Sequence, residues 1–234
     1  MTLLTDTAII LDTETTDRDE GEVIELAYGV TADVFNFAAP WHCEVTRFRP
    51  AKQTTFGALA VHHILPSEVA SARPSAQAAA TLPHARYWIG HNIDFDWRAL
   101  GAPPEVFRIC TLALARKWMP DADSHSLGAL IYQLYGATAE TREIVKGAHG
   151  ALADVNMTRM LLSKLLVMTG IETLSGLFSE SEDARVPRKW AFGKFEGSSI
   201  SSADRGYARW FVNTCKDRSD YQYYVVALKR GGLL

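Results

Sequence analysis

Short apolar runs separated by polar turns dominate the first fifty residues of the chain. Residues 8–11 form a brief, β-branched apolar run with polar residues on both sides, which is typical of a buried strand. Residues 23–30 and 41–48 predict two further strands after short polar connections. Because short turns join consecutive strands that lie side by side, the pattern predicts an antiparallel meander.

The spacing of apolar positions changes after residue 55. Apolar residues between 58 and 65 recur at helical spacing, and from residue 87 onwards strand-like and helix-like segments alternate. The clearest helix covers residues 152–168 and ends at Gly170, a residue suited to terminate a helix. We therefore predict an α/β fold in which a mixed sheet, antiparallel meander plus parallel strands, is flanked by helices. The other elements expected here are strands at 87–90 and 107–110 and helices at 97–100, 111–118 and 127–135.

Periodicity is lost where Ser, Glu, Asp and Pro cluster near residue 180. Residues 187–234 hold nine Lys or Arg against four Asp or Glu, a local charge of +5. Since the whole chain carries −3, the remainder carries −8. This asymmetry predicts an acidic body with a small basic C-terminal module. The expected bounds are 1–178 for the main domain, 179–188 for a linker and 189–234 for the module.

The composition of the 234-residue chain, 47% hydrophobic and 22% charged, is that of a globular protein. Cys43, Cys110 and Cys215 are too widely spaced for a disulfide framework or a Cys-x-x-Cys metal site, which favours a reducing, cytoplasmic compartment. The sequence has neither a signal-peptide pattern nor a membrane-length apolar run, so we expect no membrane attachment. Because the net charge of the chain is −3, a polyanion would have to bind through local basic patches or bound cations.

Two acids, Asp12 and Glu14, flank Thr13 at the end of the first predicted strand. Residues two apart on a strand point to the same face, so both carboxylates are expected on one side of the sheet. Like charges placed there repel each other unless a cation neutralises them, and hard divalent metals bind carboxylate oxygens. An isolated Asp-x-Glu is nevertheless more often a pair of solvated acids on a turn, so this pair alone is weak evidence.

A second polar block, residues 90–96, lies between a predicted strand and a predicted helix. Asn92 or Asp94 could simply cap that helix. Phe95 stands between two acids, and an aromatic ring in that position would stack on a nucleobase beside a metal site. The residues themselves leave open whether Asp94 or Asp96 would be the metal ligand.

The third block places His149 on a glycine-rich loop and Asp154 in the first turn of the clearest helix. An acid in a first helical turn is electrostatically favourable without any function. An imidazole beside a metal-bound carboxylate, however, is suited to deprotonating a water at neutral pH. Taken together, the three blocks supply four carboxylates and one histidine. Two divalent ions about 3.5–4 Å apart need such a set for phosphodiester hydrolysis.

The three blocks resemble, in order and spacing, the motifs of the DEDDh exonucleases of the DnaQ-like superfamily. The resemblance covers about residues 8–168 and implies a ribonuclease H-like fold and release of 5′-mononucleotides from a 3′ end. It implies two Mg²⁺ or Mn²⁺ ions held by Asp12, Glu14, Asp96 and Asp154, with His149 as general base. Asp96 rather than Asp94 is then the second-block ligand. Substrate contacts are assigned by the same resemblance to Thr13, Thr15, His62, His91, Asn92 and Phe95.

Residues 192–197 and 206–210 resemble the small C-terminal module found in the exodeoxyribonuclease X branch of this family, which favours DNA as the substrate. Cations interleaved with aromatic rings suit single-stranded DNA, although so small a module also needs its aromatic residues as a core. The residues concerned are Lys194, Arg205, Arg209 and Lys216, with Phe195, Tyr207 and Trp210. One departure is Thr16-Asp17-Arg18, where many family members have Gly-Leu, and this leaves the handling of duplex ends open.

The sequence therefore predicts a metal-dependent 3′–5′ exodeoxyribonuclease that acts on DNA with a single-stranded 3′ end, in DNA repair or single-strand degradation. An RNA-trimming exoribonuclease or a polymerase proofreading subunit is the alternative, because the three blocks read only a phosphodiester and a terminal nucleotide. A non-catalytic nucleic-acid-binding protein is a third reading. Such a protein would be expected to lack a metal ligand, and none is missing.

Overall fold

The computed structural model describes residues 7–31, 33–215 and 221–234. The chain forms two compact units, Met1–Ser181 and Glu182–Leu234. The first unit combines a sheet with helices, and the second consists of helices and short turns.

A six-stranded mixed sheet is the frame of the first unit. Its strands are β1 (Ala8–Thr15), β2 (Val23–Val30), β3 (His42–Arg49), β4 (Arg73–Pro74), β5 (Tyr87–Gly90) and β6 (Phe107–Cys110). Across the sheet their order is β4-β3-β2-β1-β5-β6. β1, β2 and β3 pair antiparallel, while β5 and β6 continue in parallel from β1. The predicted meander plus parallel strands is confirmed.

The centre of the sheet is apolar on both faces. Ile9, Ile10 and Leu11 of β1 are at most 2% exposed, and Ile89 of β5 is fully buried. A strand covered on both faces has a continuous apolar run instead of an alternating pattern, and this explains the uninterrupted apolar residues at 8–11. The polar residues begin where β1 leaves this core.

Helices flank the sheet, and the longest of them packs on β1 and β2. Three helices, those at 66–69, 139–145 and 174–185, are not anticipated by the apolar pattern. The second of these is capped by Thr138, whose hydroxyl accepts a hydrogen bond from the Thr141 N–H. The helices of this part of the chain are α1 (Phe56–His62), α2 (Pro66–Val69), α3 (Asp94–Ala99), α4 (Thr111–Trp118), α5 (Leu127–Tyr135), α6 (Ala139–Val145), α7 (Ala151–Thr169) and α8 (Leu174–Arg185).

Most of the segment predicted as a linker, 179–188, is helical, because α8 continues to Arg185. The boundary between the two units falls within this helix, after Ser181. Ser181 is fully buried and accepts a hydrogen bond from the Cys110 N–H at 2.8 Å. The linker was predicted from the polar composition of the segment. A helix in which only a few residues are buried has a similarly polar composition, because its remaining residues face solvent.

The second unit contains α9 (Arg205–Cys215) and α10 (Gln222–Arg230). Its core is aromatic: Trp190 is 1% exposed, and its ring centroid lies 5.1 Å from that of Phe211 and 5.4 Å from that of Tyr224. A unit of this size needs such large side chains to bury enough apolar surface. Lys216, which the sequence suggested for DNA contact, lies outside the described residues.

Among the described residues, no single helix has both the length and the apolar character required to cross a membrane. The sharply bent pair α7 and α8 meets that requirement only jointly, by length and composition.

Candidate active site

Three carboxylates converge where β1 meets the start of α7. Asp12 and Glu14 lie on the last part of β1, and Asp154 lies in the first turn of α7. One oxygen from each of the three lies within 4.8 Å of the others. The fold thus joins the first and third polar blocks of the sequence, and with them three of the four residues expected to bind metal.

Asp96, the fourth expected ligand, is anchored to the first block. Its Oδ1 accepts hydrogen bonds from the N–H and the hydroxyl of Thr13, at 2.8 and 2.7 Å, and the side chain is 2% exposed. The charge of Asp96 raises the pKa of Asp12 and of Glu14, so it belongs electrostatically to the same group.

Asp94 has a different environment. Helix α3 begins at Asp94, with Ile93 as its N-cap, so Asp94 does not take the capping position considered for it. Its carboxylate forms an ion pair with Arg108, whose guanidinium lies 4.1 Å from the ring centroid of Trp97. The carboxylate that joins the acidic group is therefore Asp96.

Burial raises the pKa of all four carboxyl groups, and the charges of neighbouring carboxylates raise it further for Asp12, Glu14 and Asp96. Burial, followed by the charge of Asp154, raises the pKa of Glu14 to about 8. Burial raises the pKa of Asp96 to about 7 against the hydrogen bonds from Thr13, and that of Asp154 to about 6. Burial and then the charge of Asp96 raise the pKa of Asp12 well above its usual range. A cation placed among these groups would favour their charged forms at neutral pH.

The donor set fits a hard divalent cation. Every candidate ligand is a carboxylate oxygen, which is the donor that Mg²⁺ and Mn²⁺ prefer. Oδ1 of Asp154 is buried and has no hydrogen-bond partner among the described residues. A buried, unpaired carboxylate oxygen is costly unless a cation lies beside it. The acidic group therefore has the chemistry of a divalent metal site.

His149 lies on the loop that precedes α7. Its side chain is exposed, and its φ of 66° is in the left-handed region, which is uncommon for residues other than glycine. The charge of His149 and a hydrogen bond from its backbone both lower the pKa of Asp154, against the larger effect of burial. The expected general base is therefore adjacent to an expected metal ligand.

A cavity of about 420 Å³ opens beside Glu14. Its size falls within the roughly 300–1,000 Å³ that is usual for small-ligand sites. Residues of α1 form an apolar wall, and Phe95 contributes an aromatic ring. Because Glu14 belongs to both the cavity and the acidic group, a ligand in the cavity would have one end at the carboxylates. The lining residues are Thr13, Glu14, Thr15, Asp17, Arg18, Thr55, Gly57, Ala58, Val61, His62 and Phe95.

His62 lines this cavity and carries a buried hydrogen-bond donor. Its Nδ1 accepts a hydrogen bond from the Ile64 N–H at 2.9 Å, so the neutral ring carries its proton on Nε2. Burial lowers the pKa of His62, which favours that neutral form. Nε2 is buried and has no partner among the described residues. A ligand with an acceptor oxygen would satisfy it.

The two threonines that were expected to contact substrate do line the cavity, but their hydroxyl protons are used within the fold. The Thr13 hydroxyl donates to Asp96, and the Thr15 hydroxyl donates to the Asp17 carbonyl at 2.7 Å. Both threonines are at most 6% exposed. They therefore shape the wall and hold neighbouring groups, and only their oxygen lone pairs stay available as acceptors.

His91 has a structural role, and its expected substrate contact stays a prediction. Its Nε2 lies 2.9 Å from the His125 carbonyl, and its Nδ1 lies 3.1 Å from the Thr111 hydroxyl, so both ring nitrogens are used within the fold. Burial lowers the pKa of His91 to about 4, which keeps the ring neutral. Asn92 is exposed with a φ of 75°, a conformation that asparagine tolerates, and its substrate contact stays a prediction.

Sequence reasoning missed Glu25, which pairs across the sheet with Glu14 and is 7% exposed. Its Oε1 accepts a hydrogen bond from the N–H of Ala151, the first residue of α7, at 3.2 Å. Its Oε2 accepts one from Nε of Arg47 at 2.9 Å. Glu25 therefore ties the start of α7 to the sheet, and its charge also raises the pKa of Asp12. The available signal was a lone acid within an apolar strand.

No protein-family model matches the chain. Exodeoxyribonuclease 10 of Escherichia coli strain K12 is 28% identical over 218 residues, which cover 90% of this chain and 92% of that relative. A solved structure of exonuclease X in complex with 5′-overhanging duplex DNA is 25% identical with a TM-score of 0.60, covering 74% of this chain and 99% of that one. The zinc-bound E. coli ExoI–ssDNA complex is 20% identical with a TM-score of 0.54, and the match covers 75% of this chain and 42% of that one. At this identity the match is informative about the fold alone.

These similarities confirm the resemblance to DnaQ-like exonucleases and the ribonuclease H-like fold expected from the motifs. They extend beyond the catalytic blocks, because the match to the E. coli relative covers most of both chains.

Proposed function

We propose that the chain is a metal-dependent 3′–5′ exodeoxyribonuclease that releases 5′-mononucleotides from DNA 3′ ends. The observation that carries this proposal is the convergence of Asp12, Glu14 and Asp154 beside a nucleotide-sized cavity. The names of the relatives, Exodeoxyribonuclease 10 and exonuclease X with overhanging DNA, favour DNA as the substrate.

The proposed cofactors are two Mg²⁺ or Mn²⁺ ions, for which the acidic group supplies the donors. Asp12, Glu14 and Asp154 offer three close carboxylate oxygens, and Asp96 adds a fourth carboxylate held in place by Thr13. When bound, such ions stabilise the charge that develops on the phosphate and favour ionisation of the attacking water.

His149 acts as the general base in this proposal. Its imidazole is exposed on a loop between Gly147 and Gly150, next to the first turn of α7. An imidazole in this position accepts the proton of the attacking water and passes it on to solvent. It is not counted among the metal ligands, so its removal affects turnover before it affects metal binding.

The cavity receives the terminal nucleotide. Phe95 offers a ring face on which a base can stack, since every base has a π-face. The Nε2–H of His62 donates to an acceptor oxygen of the nucleotide and so satisfies an otherwise unpaired buried donor. The apolar side of α1 excludes water from the other wall. Together these groups place the scissile phosphate at Glu14 and its neighbours.

RNA trimming or proofreading as a polymerase subunit is the second candidate, because the acidic group and the cavity do not by themselves select the sugar. The relatives favour the DNA-degrading activity. We place that activity in repair or degradation of single strands in the cytoplasm, a compartment in which the three free cysteines would stay reduced.

The test is a time course with 3′- and 5′-labelled single-stranded and duplex DNA, and matched RNA, with and without Mg²⁺ or Mn²⁺. We expect stepwise release of mononucleotides from the 3′ end, with single-stranded DNA degraded fastest. Asp12→Ala should abolish the activity, whereas Asp19→Ala, which alters an exposed acid on the turn after β1, should not. No hydrolysis with either metal would refute the enzyme assignment. Faster degradation of RNA than of DNA would show that RNA is the substrate.

A further inference from the structure

Trp210 is exposed on the second unit even though that unit is built from buried aromatic side chains. It is 56% exposed, whereas Trp190 and Phe211 are each 1% exposed. The unit can therefore bury aromatic rings efficiently, yet it leaves its largest surface side chain in water. An exposed indole costs hydrophobic stabilisation that burial would provide. This points to a ligand for the ring.

The exposed indole is the outer end of a chain of ring contacts. The Trp210 ring centroid lies 5.2 Å from that of Tyr207, which lies 4.8 Å from that of Phe195 and 5.3 Å from that of Trp190. Tyr207 and Phe195 are half-buried. The core thus supports Trp210 from below and restricts its orientation, which preorganises a flat aromatic surface for stacking.

Three exposed cations belong to the same small unit as this aromatic surface. Arg205 and Arg209 are exposed one turn apart on α9, the helix that carries Trp210. Lys194 is exposed, with its Nζ 5.1 Å from the Phe195 ring centroid. Among the described residues, neither arginine makes an ion pair with an acid. The nearest acid along the helix, Asp204, caps its start by accepting a hydrogen bond from the Tyr207 N–H at 2.7 Å.

We propose that this α9 surface is a second binding site, separate from the catalytic cavity, and that its ligand is single-stranded DNA. The surface is defined by Lys194, Phe195, Arg205, Tyr207, Arg209 and Trp210. The inference rests on the proposed function for the identity of the polymer, and it assigns a role to the second unit.

Charge complementarity selects a polyanion as the occupant. Residues 187–234 carry +5, while the remainder of the chain carries −8 and has its own acidic group at the catalytic site. Guanidinium and ammonium groups beside an exposed ring provide phosphate contacts and base stacking together, the combination that binds single strands without sequence preference. A protein partner would instead be expected to meet a wider apolar surface than this single exposed indole, whose helix also carries two exposed arginines.

The test uses the full chain and a fluorescein-labelled 20-nucleotide oligothymidine, titrated by fluorescence anisotropy in EDTA so that no DNA is hydrolysed. Trp210→Ala should weaken binding about 10-fold, and Trp210→Phe should restore most of the affinity because it keeps a stacking face. Arg205→Gln combined with Arg209→Gln should lower the slope of log K against log salt by about 1.4, the value for two phosphate contacts on a single strand.

Matched controls lie on the first unit. Trp118→Ala removes an indole that is 39% exposed. Arg142→Gln combined with Lys146→Gln removes two exposed cations, one in α6 and one at its C-cap. Both changes should leave affinity and salt slope unchanged. Near-ultraviolet circular dichroism and thermal unfolding report whether each variant keeps its fold. Equal affinity of the wild type and Trp210→Ala for the oligonucleotide overturns the inference. The inference also fails if Trp210→Ala loses self-association but keeps its affinity for DNA.

The outcome is separable from that of the proposed function. If the wild type hydrolyses a trinucleotide with Mg²⁺ but its affinity for the 20-nucleotide strand does not depend on Trp210, the proposed function stands and the proposed α9 binding site is refuted. Wild-type protein that binds the strand through Trp210 but hydrolyses no DNA supports the α9 surface and removes the exonuclease assignment.

Discussion

The hydroxyl and the backbone N–H of Thr13 both donate to Oδ1 of Asp96, at 2.7 and 2.8 Å. These two residues come from β1 and α3, and both are nearly inaccessible to solvent. The bonds oppose the effect of burial on the pKa of Asp96 and therefore favour its charged form. Thr13 thus fixes the orientation of a proposed metal ligand.

The first prediction concerns Thr13→Val, which removes the hydroxyl but keeps the backbone donor and the approximate shape. Because a hydrogen bond to a charged group contributes about 1.5–3 kcal/mol, we expect Mg²⁺ affinity to fall on the order of 10-fold or more. Isothermal titration calorimetry with Mg²⁺ and Mn²⁺ measures this. Thr13→Ser should bind metal nearly as well as the wild type. Unchanged affinity in the valine variant would show that the backbone bond alone holds Asp96.

The second prediction concerns His149→Ala. If the imidazole is the general base, kcat should fall by about 10²–10⁴-fold. DNA affinity measured in EDTA should stay the same, because His149 is an exposed loop residue and not one of the carboxylate ligands. Single-turnover kinetics and anisotropy titrations separate the two quantities. A variant that retains wild-type kcat would restrict His149 to a structural role.

The third prediction concerns pH and metal together. The carboxyl pKa values in the acidic group are raised, to about 6 for Asp154 and about 8 for Glu14, so the folded metal-free protein binds protons more tightly than the unfolded chain does. Its stability should therefore decline as pH rises through the ordinary carboxyl range towards these values. Divalent metal binds the deprotonated group, so stabilisation by Mg²⁺ should grow between pH 6 and pH 8.

Thermal unfolding across that pH range, in excess Mg²⁺ and in EDTA, measures this difference. Glu14→Gln should reduce the Mg²⁺ effect at the alkaline end, whereas Asp19→Asn, an exposed acid, should preserve it. A Mg²⁺ effect that does not depend on pH would contradict the raised pKa values of the acidic group.

The fourth prediction concerns Glu25. Glu25→Ala removes the acceptor for the Ala151 N–H and a partner of Arg47, so unfolding free energy should fall by about 2 kcal/mol. Glu25→Gln keeps an acceptor for Ala151 and should lose less. Urea titration gives the stability, and kcat reports whether α7 still presents Asp154 correctly. Glu44→Gln on β3 is the control, since Glu44 is exposed. Wild-type stability in Glu25→Ala would remove its proposed anchoring role.

Much of the fold follows from local pattern. The strands at 87–90 and 107–110 and the helices at 111–118 and 127–135 coincide with the observed elements, and the apolar run at residues 8–11 is the first half of β1. Each has a buried face whose period depends only on its own backbone geometry. The helix α8 is an exception, because its polar residues resemble a linker and only neighbours such as Cys110 reveal which positions are buried.

The sequence by itself determined that carboxylates and a histidine stand at the ends of particular elements, because motif spacing and strand periodicity are local properties. Only the tertiary structure decided which of them meet. It separated Asp96, held by Thr13, from Asp94, paired with Arg108. It paired His91 with the His125 carbonyl and placed Glu25 where it accepts a hydrogen bond from the first residue of α7. These outcomes depend on partners far away in sequence, whose distances exist only once the chain has folded.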